Sequence, residues 1–345
     1  MKQSCVMIRK QTQDERISET MRYYLAPLEG ITTRIYRNAY HDCFLPMDKY
    51  FTPFLSPHTK KGFSRKELAE ILPENNKGMR LIPQILTNRA EDFLRTAEKL
   101  MYYGYDEINL NLGCPSKTVV SKGRGSGFLA DPDGLDRFLD EMYSKAKVKI
   151  SIKTRIGKED PGEFPELLKI YSQYPVEELI IHPRVQTDFY KNKPNLQVFE
   201  EAVRGSRIPL CYNGDICSKE DAQAIEKRFP SVKTCMIGRG IIGNPGLLGE
   251  IKGRGPADRT LLRKFHDQIY EEYRKVGMGD KNVLFKMKEI WCYWGISFPG
   301  CEKHLKRIRK AERLDRYEEA VKSIIDADLF QEYNNDIFVE KRRER

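Results

Sequence analysis

The chain has 345 residues, of which 40% are hydrophobic and 32% charged, and its formal net charge of +10 favours a polyanionic partner without identifying one. This length suffices for one large α/β barrel with a small appendage, and the ordinary Gly and Pro content predicts a globular protein. No run of about 18 apolar residues and no apolar signal-peptide centre occurs, so we expect no membrane span and a cytoplasmic protein.

One pattern repeats from residue 22 to residue 250: a short apolar or β-branched run, a loop rich in Gly, Pro, Asn or Asp, and a segment with helical spacing. Eight such alternations match the size of a (β/α)8 TIM barrel, predicted over residues 21–252, with a doubly wound sheet as the alternative. The expected strands are residues 23–28, 49–54, 80–86, 107–113, 149–156, 178–184, 208–216 and 234–240.

Beyond residue 255 no strand pattern remains. Residues 258–330 show helical spacing throughout, which predicts a small all-α domain behind a linker that contains Gly and Pro. Residues 1–20 are then an amino-terminal extension and residues 331–345 a tail.

Eight cysteines form no CxxC pair and have no His at zinc-ligand spacing, so the sequence predicts no metal site and no disulfide framework. Cys114 stands apart because it ends an alternating apolar run, in the stretch NLNLGCPSK, and is followed at once by Pro115. From the residues alone, Cys114 is a buried small residue, a nucleophile that needs a His base, or a proton donor.

Polar motifs gather at the expected carboxyl ends of the strands, where a barrel builds its site. Lys153, if it points into the mouth, needs an anionic partner, either a reduced flavin or a neighbouring carboxylate. Gln84 offers a donor and an acceptor that complement the pyrimidine edge of a flavin, or it is a solvated strand end. His182 is an uncharged hydrogen-bond donor in the site or a structural residue.

Two glycine-containing stretches suggest a phosphate site. NGDI after the seventh strand and GRGIIGNP after the eighth offer backbone N–H groups where barrels often hold phosphate, and Arg239 can add a charged hydrogen bond. The second stretch also fits GxGxxG, but no strand follows it, which disfavours a dinucleotide fold. Tight turns without a ligand are the other alternative.

Six stretches in a single order, over about residues 22–325, resemble the tRNA-dihydrouridine synthase family: APLEGITTRIYR, NLNLGCPSKTV, IKTRIG, IIHPR, YNGDI and IGRGIIGNP. The resemblance implies an FMN-bearing barrel followed by a helical RNA-binding domain. Such an enzyme reduces the C5–C6 double bond of selected uridines in tRNA, with hydride taken from NADPH through the flavin. We expect it to be a monomer.

The resemblance also implies individual roles. It makes Cys114 the general acid that protonates C5 as flavin N5 delivers hydride to C6, and it makes Asn111 and Arg184 face the uracil. The implied FMN contacts are Pro27 and Leu28 under the ring, Gln84 at its pyrimidine edge, Lys153 beside N1 and O2, His182, and, around the ribityl chain and phosphate, Asn213, Asp215, Gly238 and Arg239.

Two carboxylates of the family pattern are missing. Asn109 stands where the family commonly has Asp before GCP, and Thr33 stands where Asp usually follows the APLEG stretch, residues 26–30. Details of substrate contact and of subfamily therefore stay open.

Affinity for RNA must come from outside the pocket. A predicted helix in residues 303–316 carries a basic face that either tracks RNA phosphates or is simply solvated. A small conjugated substrate would not need this extension, whereas a uridine of ribosomal RNA would suit the same pocket, and a non-catalytic RNA-binding protein is a further alternative. The residues of the basic face are Lys303, Lys306, Arg307, Lys310 and Arg313.

Overall fold

A computed structural model describes residues 20–57, 62–298 and 300–325. The described residues exclude residues 1–19 of the predicted amino-terminal extension. They also exclude residues 326–330 of the predicted helical domain and the whole predicted tail, residues 331–345. In the part of the chain that is described, no helix is both long enough and apolar enough to cross a membrane.

Within the described residues, nine β-strands form one parallel sheet in the order β3-β2-β1-β9-β8-β7-β6-β5-β4. The two ends of this order, β3 and β4, are successive pieces of one segment separated by Pro83, so the sheet closes on itself. The strands are β1 Arg22–Leu25, β2 Lys49–Phe51, β3 Leu81–Ile82, β4 Gln84–Ile85, β5 Glu107–Leu112, β6 Lys149–Arg155, β7 Leu179–His182, β8 Leu210–Tyr212 and β9 Thr234–Ile237.

The closed sheet confirms the predicted (β/α)8 barrel and excludes the doubly wound alternative. Each of the eight expected strand segments contains barrel strand, but the structure ends most of these strands earlier than the apolar pattern does. The third segment is divided because Pro83 has no N–H to donate to a neighbouring strand. Its carbonyl still accepts a hydrogen bond from Asn109 N–H (2.9 Å), which holds the seam of the barrel together.

Helices follow the strands and cover the outside of the barrel with their apolar faces. The capping pattern sets several of the starts; α5, for example, begins at Pro132, after Asp131 accepts from the Gly134 N–H. The barrel helices are α1 Arg34–Cys43, α2 Arg65–Ile71, α3 Ala90–Tyr102, α4 Lys117–Val120, α5 Pro132–Lys145, α6 Phe164–Tyr171, α7 Leu196–Gly205, α8 Lys219–Arg228, α9 Arg239–Gly243 and α10 Leu247–Ile251.

The barrel interior is filled, as expected for a closed barrel of this size. Tyr24, Phe51 and Ile180 belong to a buried cluster inside the sheet, separate from the core between sheet and helices. At the amino-terminal ends of the strands, the buried Lys49 ammonium lies 2.8 Å from the Glu107 carboxylate, and this ion pair fills that end of the barrel. Space for a ligand is therefore left at the carboxyl ends of the strands.

The chain after the barrel is helical, as predicted, and has its own aromatic core. The Tyr317 hydroxyl lies 2.7 Å from His266 Nε2 and accepts a hydrogen bond from Trp291 Nε1 (2.9 Å). These helices are α11 Arg259–Lys275, α12 Asp280–Trp294, α13 Glu302–Lys310 and α14 Leu314–Ile325.

This helical region packs directly against the barrel. The Phe265 ring of α11 makes edge contacts with Tyr36 and Phe44 of the α1 segment. On α12, Lys286 Nζ donates to the carbonyl of Gly30 in the loop after β1 (3.0 Å). Since that loop follows the carboxyl end of β1, α12 borders the mouth of the barrel.

Candidate active site

A cavity of about 280 Å³ opens at the carboxyl ends of the strands. Side chains from separate loops border the cavity. Some of them were not singled out in the sequence, among them Arg155, Tyr190, and Glu289 and Tyr293 of α12. The predicted site residues that meet there are Pro27, Leu28, Gln84, Asn111, Cys114, Lys153 and His182.

The Cys114 loop is held by hydrogen bonds on both sides. Asn111 Oδ1 accepts from the backbone N–H groups of Gly113 (3.0 Å) and Cys114 (2.9 Å). The Cys114 carbonyl accepts from the backbone N–H and the hydroxyl of Ser126 (3.1 and 2.8 Å). Gly125 has a φ of +56°, and a Cβ there would lie 2.8 Å from the Cys114 carbonyl oxygen, so glycine is required. The thiol is thus presented by a fixed loop.

The environment keeps the Cys114 side chain as a thiol. Burial has the largest effect and raises the pKa of Cys114; the Ser116 backbone lowers it, the Glu29 carboxylate raises it, and Arg155 and Lys153 lower it by smaller amounts. The group therefore carries its proton at neutral pH. This favours the proton-donor interpretation over the nucleophile.

A chain of buried amides runs from β6 to the Cys114 loop. Asn109 Nδ2 donates to Ser151 Oγ (3.0 Å), and Gln84 Nε2 donates to Asn109 Oδ1 (2.7 Å). Asn111 Nδ2 in turn donates to Gln84 Oε1 (2.7 Å). Both polar atoms of the Asn111 amide are therefore engaged within the protein, one by Gln84 and the other by the Cys114 loop.

Lys153 brings a buried positive charge to the cavity. Burial lowers the pKa of Lys153 to about 8, with a further lowering from Arg155. Within the described residues, no hydrogen bond or ion pair engages its ammonium group, so the carboxylate-pairing alternative is not observed there. An anionic ligand would supply the missing partner.

Arg155 is the residue of this site that sequence reasoning should have found. It lies two positions after Lys153 on β6, so the alternation of a strand puts both side chains, with Ser151, on the interior face. Its Nε donates to the Gly113 carbonyl (3.0 Å), and its Nη1 donates to the Val185 carbonyl (2.8 Å). Arg155 thereby ties the Cys114 segment to the loop after β7.

Arg184 holds His182 and does not border the cavity. The Arg184 side chain is 1% exposed, with Nη2 at 2.5 Å from Asp215 and Nη1 at 2.9 Å from His182 Nε2. Since a guanidinium can only donate, His182 Nε2 accepts and the ring proton is on Nδ1. Burial, with Arg155, Lys153 and other cations, lowers the pKa of His182 well below its usual value, so the ring is neutral. His182 Nε2 is occupied by Arg184 and therefore does not serve as a base for Cys114.

The four residues predicted for the ribityl chain and phosphate are not among those that border the cavity. Arg239 Nη2 donates to Asp215 (2.6 Å), and the Tyr190 ring, which borders the cavity, lies 4.5 Å from the Arg239 guanidinium. Arg239 Nη1 is buried without a hydrogen-bond partner. Asn213 Nδ2 donates to the Met236 carbonyl (2.9 Å), and Gly238 opens α9.

The family model for dihydrouridine synthase (Dus) matches residues 24–326. The chain belongs to the dihydrouridine synthase family. It is 28% identical over 244 residues to tRNA-dihydrouridine synthase B of Pasteurella multocida, covering 70% of this chain and 72% of that protein. It is 27% identical over 263 residues to a probable tRNA-dihydrouridine synthase of Staphylococcus aureus strain COL, covering 73% and 78%. Family membership confirms the predicted enzyme class, a flavin-dependent oxidoreductase.

Among solved structures, the chain is similar to morphinone reductase in complex with tetrahydroNAD. The TM-score is 0.48 at 14% sequence identity, over 71% of this chain and 90% of that chain.

A carboxylate from another element supports the start of α1, next to Thr33. Glu70 of α2 accepts from the Arg34 N–H (2.7 Å) and from Arg37 Nη1 (2.9 Å), where it anchors the start of α1. The Thr33 hydroxyl lies 3.3 Å from the Tyr273 hydroxyl of α11. The segment that contains Thr33 and the start of α1 is thus held by contacts from α2 and α11.

The basic face predicted on one helix over residues 303–316 is divided in the structure, because α13 ends at Lys310 and α14 begins at Leu314; Arg313 lies between the two helices and pairs with Asp315. The inner side of α13 buries Ile308, whereas all four of the cations predicted to bind substrate on this helix are exposed. The sequence reading omitted one further exposed cation of the same helix, Arg309. The four predicted residues are Lys303, Lys306, Arg307 and Lys310.

In the described ranges no group of three or more His, Cys, Asp or Glu side chains is arranged to hold a metal ion.

Proposed function

We propose that the protein reduces specific uridines of tRNA to 5,6-dihydrouridine, with FMN as its coenzyme and NADPH as the hydride donor. The observation that carries this proposal is the meeting of Cys114, a protonated thiol on a fixed loop, with the unpartnered cation Lys153 in one cavity at the mouth of a closed barrel. The names of the related proteins support tRNA as the substrate.

The residues present fit a flavin mononucleotide. Arg239 Nη1 is a buried donor without a partner, which is the group that a phosphate would satisfy. Asp215 does not repel such an anion, because Arg184 and Arg239 both pair with it. Lys153 would hold the anionic side of the ring system, and Gln84, fixed by its amide neighbours, would meet the pyrimidine edge.

When bound, the flavin supplies a hydride to the uracil C5–C6 double bond. The protein's own part is the proton: Cys114 Sγ–H transfers it to C5, and the resulting thiolate lies in the field of Lys153 and Arg155. The base must leave its stack to enter, and the apolar wall of Pro27, Leu28 and neighbouring side chains keeps water from the reacting face.

We further propose a division of labour within one cytoplasmic monomer. Residues 21–252 would bind the coenzyme and carry out the reaction, and residues 258–330 would bind RNA. The exposed cations of α13 support the second role, because affinity for a folded RNA depends on phosphate contacts outside the pocket.

The proposal is tested on the purified protein with unmodified tRNA transcripts. The protein should absorb visible light as an oxidised flavoprotein, and Cys114→Ala should keep FMN while dihydrouridine formation falls at least about 100-fold. Cys43→Ala, a half-buried thiol beside Gln268, serves as the control with normal activity. Full turnover by Cys114→Ala would contradict the role of the thiol. Turnover on ribosomal RNA alone would contradict tRNA as the substrate.

A further inference from the structure

A second cavity adjoins the first and belongs to none of the roles described so far. Its volume is about 250 Å³, close to that of the candidate active site, and the two cavities share the wall formed by Glu29, Pro53 and Phe54. The far side is built by α2 and the residues before it, including Lys66. A ligand that enters the first cavity therefore has room for a covalent neighbour in the second.

Two charged groups in the second cavity are available to a ligand. Of its carboxylates, Glu67 completes the capping box of α2 and Glu70 pairs with Arg37, which leaves Glu29. Among the described residues, neither Glu29 nor Lys66 has a hydrogen bond or ion-pair partner. Desolvation raises the pKa of Glu29, ahead of a lowering by the Lys66 ammonium, and the Glu29 residue is exposed and open to a ligand.

The remaining wall is flat and apolar. Phe54 and Pro53 follow β2 and are half-buried, with Phe54 facing both cavities. An aromatic face beside a carboxylate and an ammonium group is suited to a nucleotide: the base stacks, the carboxylate accepts from its edge, and the ammonium meets a phosphate.

On the basis of the proposed function, we propose that this cavity binds the base next to the target uridine and prefers guanine. A carboxylate accepts hydrogen bonds from the N1–H and N2–H groups of guanine side by side, whereas adenine and cytosine offer one amino group to it. Uracil is the poorest fit, because its single N–H lies between two acceptor oxygens. Glu29 thus acts as a specificity residue, and Lys66 contributes affinity independent of sequence.

The test uses tRNA transcripts in which the nucleotide on each side of the mapped target uridine is varied in turn through G, A, C and U. Both Kd and kcat/KM are measured for the flavin-loaded wild type, Glu29→Gln, Lys66→Ala and Glu74→Gln. Glu74 is an exposed carboxylate on the segment after α2 that borders neither cavity, so Glu74→Gln controls for loss of charge.

On one side of the target, guanine should give a Kd at least about tenfold lower and a kcat/KM at least about tenfold higher than uracil, for the wild type and for Glu74→Gln. Glu29→Gln should reduce this ratio to below about threefold, and Lys66→Ala should weaken all four RNAs alike. Equal constants for the four bases, or an unchanged ratio in Glu29→Gln, would overturn the proposal. So would slower flavin reduction by NADPH in Glu29→Gln, since the cavity would then serve the reductant.

The two proposals fail separately. If dihydrouridine forms at the same rate beside every base and Kd does not vary, the neighbouring-base site is wrong while the proposed function stands. If Kd shows the guanine preference and Glu29→Gln removes it but no transcript is reduced, the base site stands and the proposed reaction is wrong.

Discussion

Replacing Asn109 by leucine tests whether the amide chain positions Cys114. Leucine keeps the branched shape of asparagine but removes its two hydrogen bonds, the one from Gln84 Nε2 (2.7 Å) and the one to Ser151 Oγ (3.0 Å). Asn109, Gln84 and Ser151 are fully buried, so water does not replace the lost partners. Asn109 touches neither the Cys114 loop nor the cavity, and any effect on the thiol must travel through Gln84 and Asn111.

The expected loss of stability follows from the two stranded groups. Each buried polar group left without its partner costs about 1–3 kcal/mol, and the added apolar burial of leucine offsets about 1–2 kcal/mol. We therefore expect Asn109→Leu to lower the free energy of unfolding by up to about 5 kcal/mol, with a central value of about 2–3 kcal/mol. Asn109→Asp should recover part of the loss, because a carboxylate still accepts from Gln84 and the Ser151 hydroxyl can turn to donate to it.

The assay is the rate of Cys114 alkylation by iodoacetamide as a function of pH, followed on the Cys114 peptide because the chain has eight cysteines. In the wild type the rate should rise only at alkaline pH, since burial raises the pKa of this thiol. In Asn109→Leu the loosened loop should expose the thiol, so alkylation becomes faster and begins at lower pH. Asn109→Asp should behave as the wild type.

Chemical denaturation of the same variants separates an effect on the position of Cys114 from an effect on the free energy of unfolding. Ser151→Ala breaks the far end of the amide chain only, so it should lower stability by about 1 kcal/mol and leave the alkylation profile nearly unchanged. If Asn109→Leu matches the wild type in both stability and alkylation, the amide chain does not position Cys114, and the reasoning fails.

Three further outcomes are expected. FMN affinity should weaken as pH rises through about 8, where Lys153 loses its charge, and the loss should be at most about tenfold per pH unit because one proton is involved. Lys153→Met should bind FMN weakly and without this pH dependence. A wild-type pH profile in that variant would contradict the role of Lys153. Gly125→Ala should lower the free energy of unfolding by about 1–3 kcal/mol in a denaturation experiment, through backbone strain and the clash with the Cys114 carbonyl. Gly104 also has a positive φ but open space around it, so Gly104→Ala measures the strain alone. Double replacement of Lys303 and Lys306 by alanine should reduce the salt dependence of tRNA binding, with a slope smaller by about 0.7–0.9 per lysine that contacts a phosphate; an unchanged slope would show a solvated face.

The barrel and much of the cavity were predictable because both follow from local pattern and one topological rule. Alternating apolar runs identified the strand segments, and parallel strands bring their carboxyl ends to one edge. Cys114, Lys153 and His182 each follow or end such a run, so their meeting required no knowledge of side-chain packing. Arg155 was not predicted, although the same rule would have identified it, since it shares the interior face of β6 with Lys153.

The parts that were missed depend on contacts between distant segments. Glu289 and Tyr293 reach the cavity only because α12 docks on the loop after β1, through Lys286 and Gly30. Nothing in the spacing of α12 reveals that docking. The family resemblance implied that Arg184 faces the uracil, but in the structure its guanidinium pairs with Asp215.

The two positions where this chain lacks a family carboxylate show that a polar network, and not the single residue, is the unit to compare. At position 109 an amide replaces the acid, and Ser151 supplies the hydroxyl that the additional N–H group needs. Near position 33 the carboxylate comes from Glu70, on a different helix. In both places the polar groups present have partners, so the loops that carry Cys114 and Thr33 are supported by hydrogen bonds from other segments.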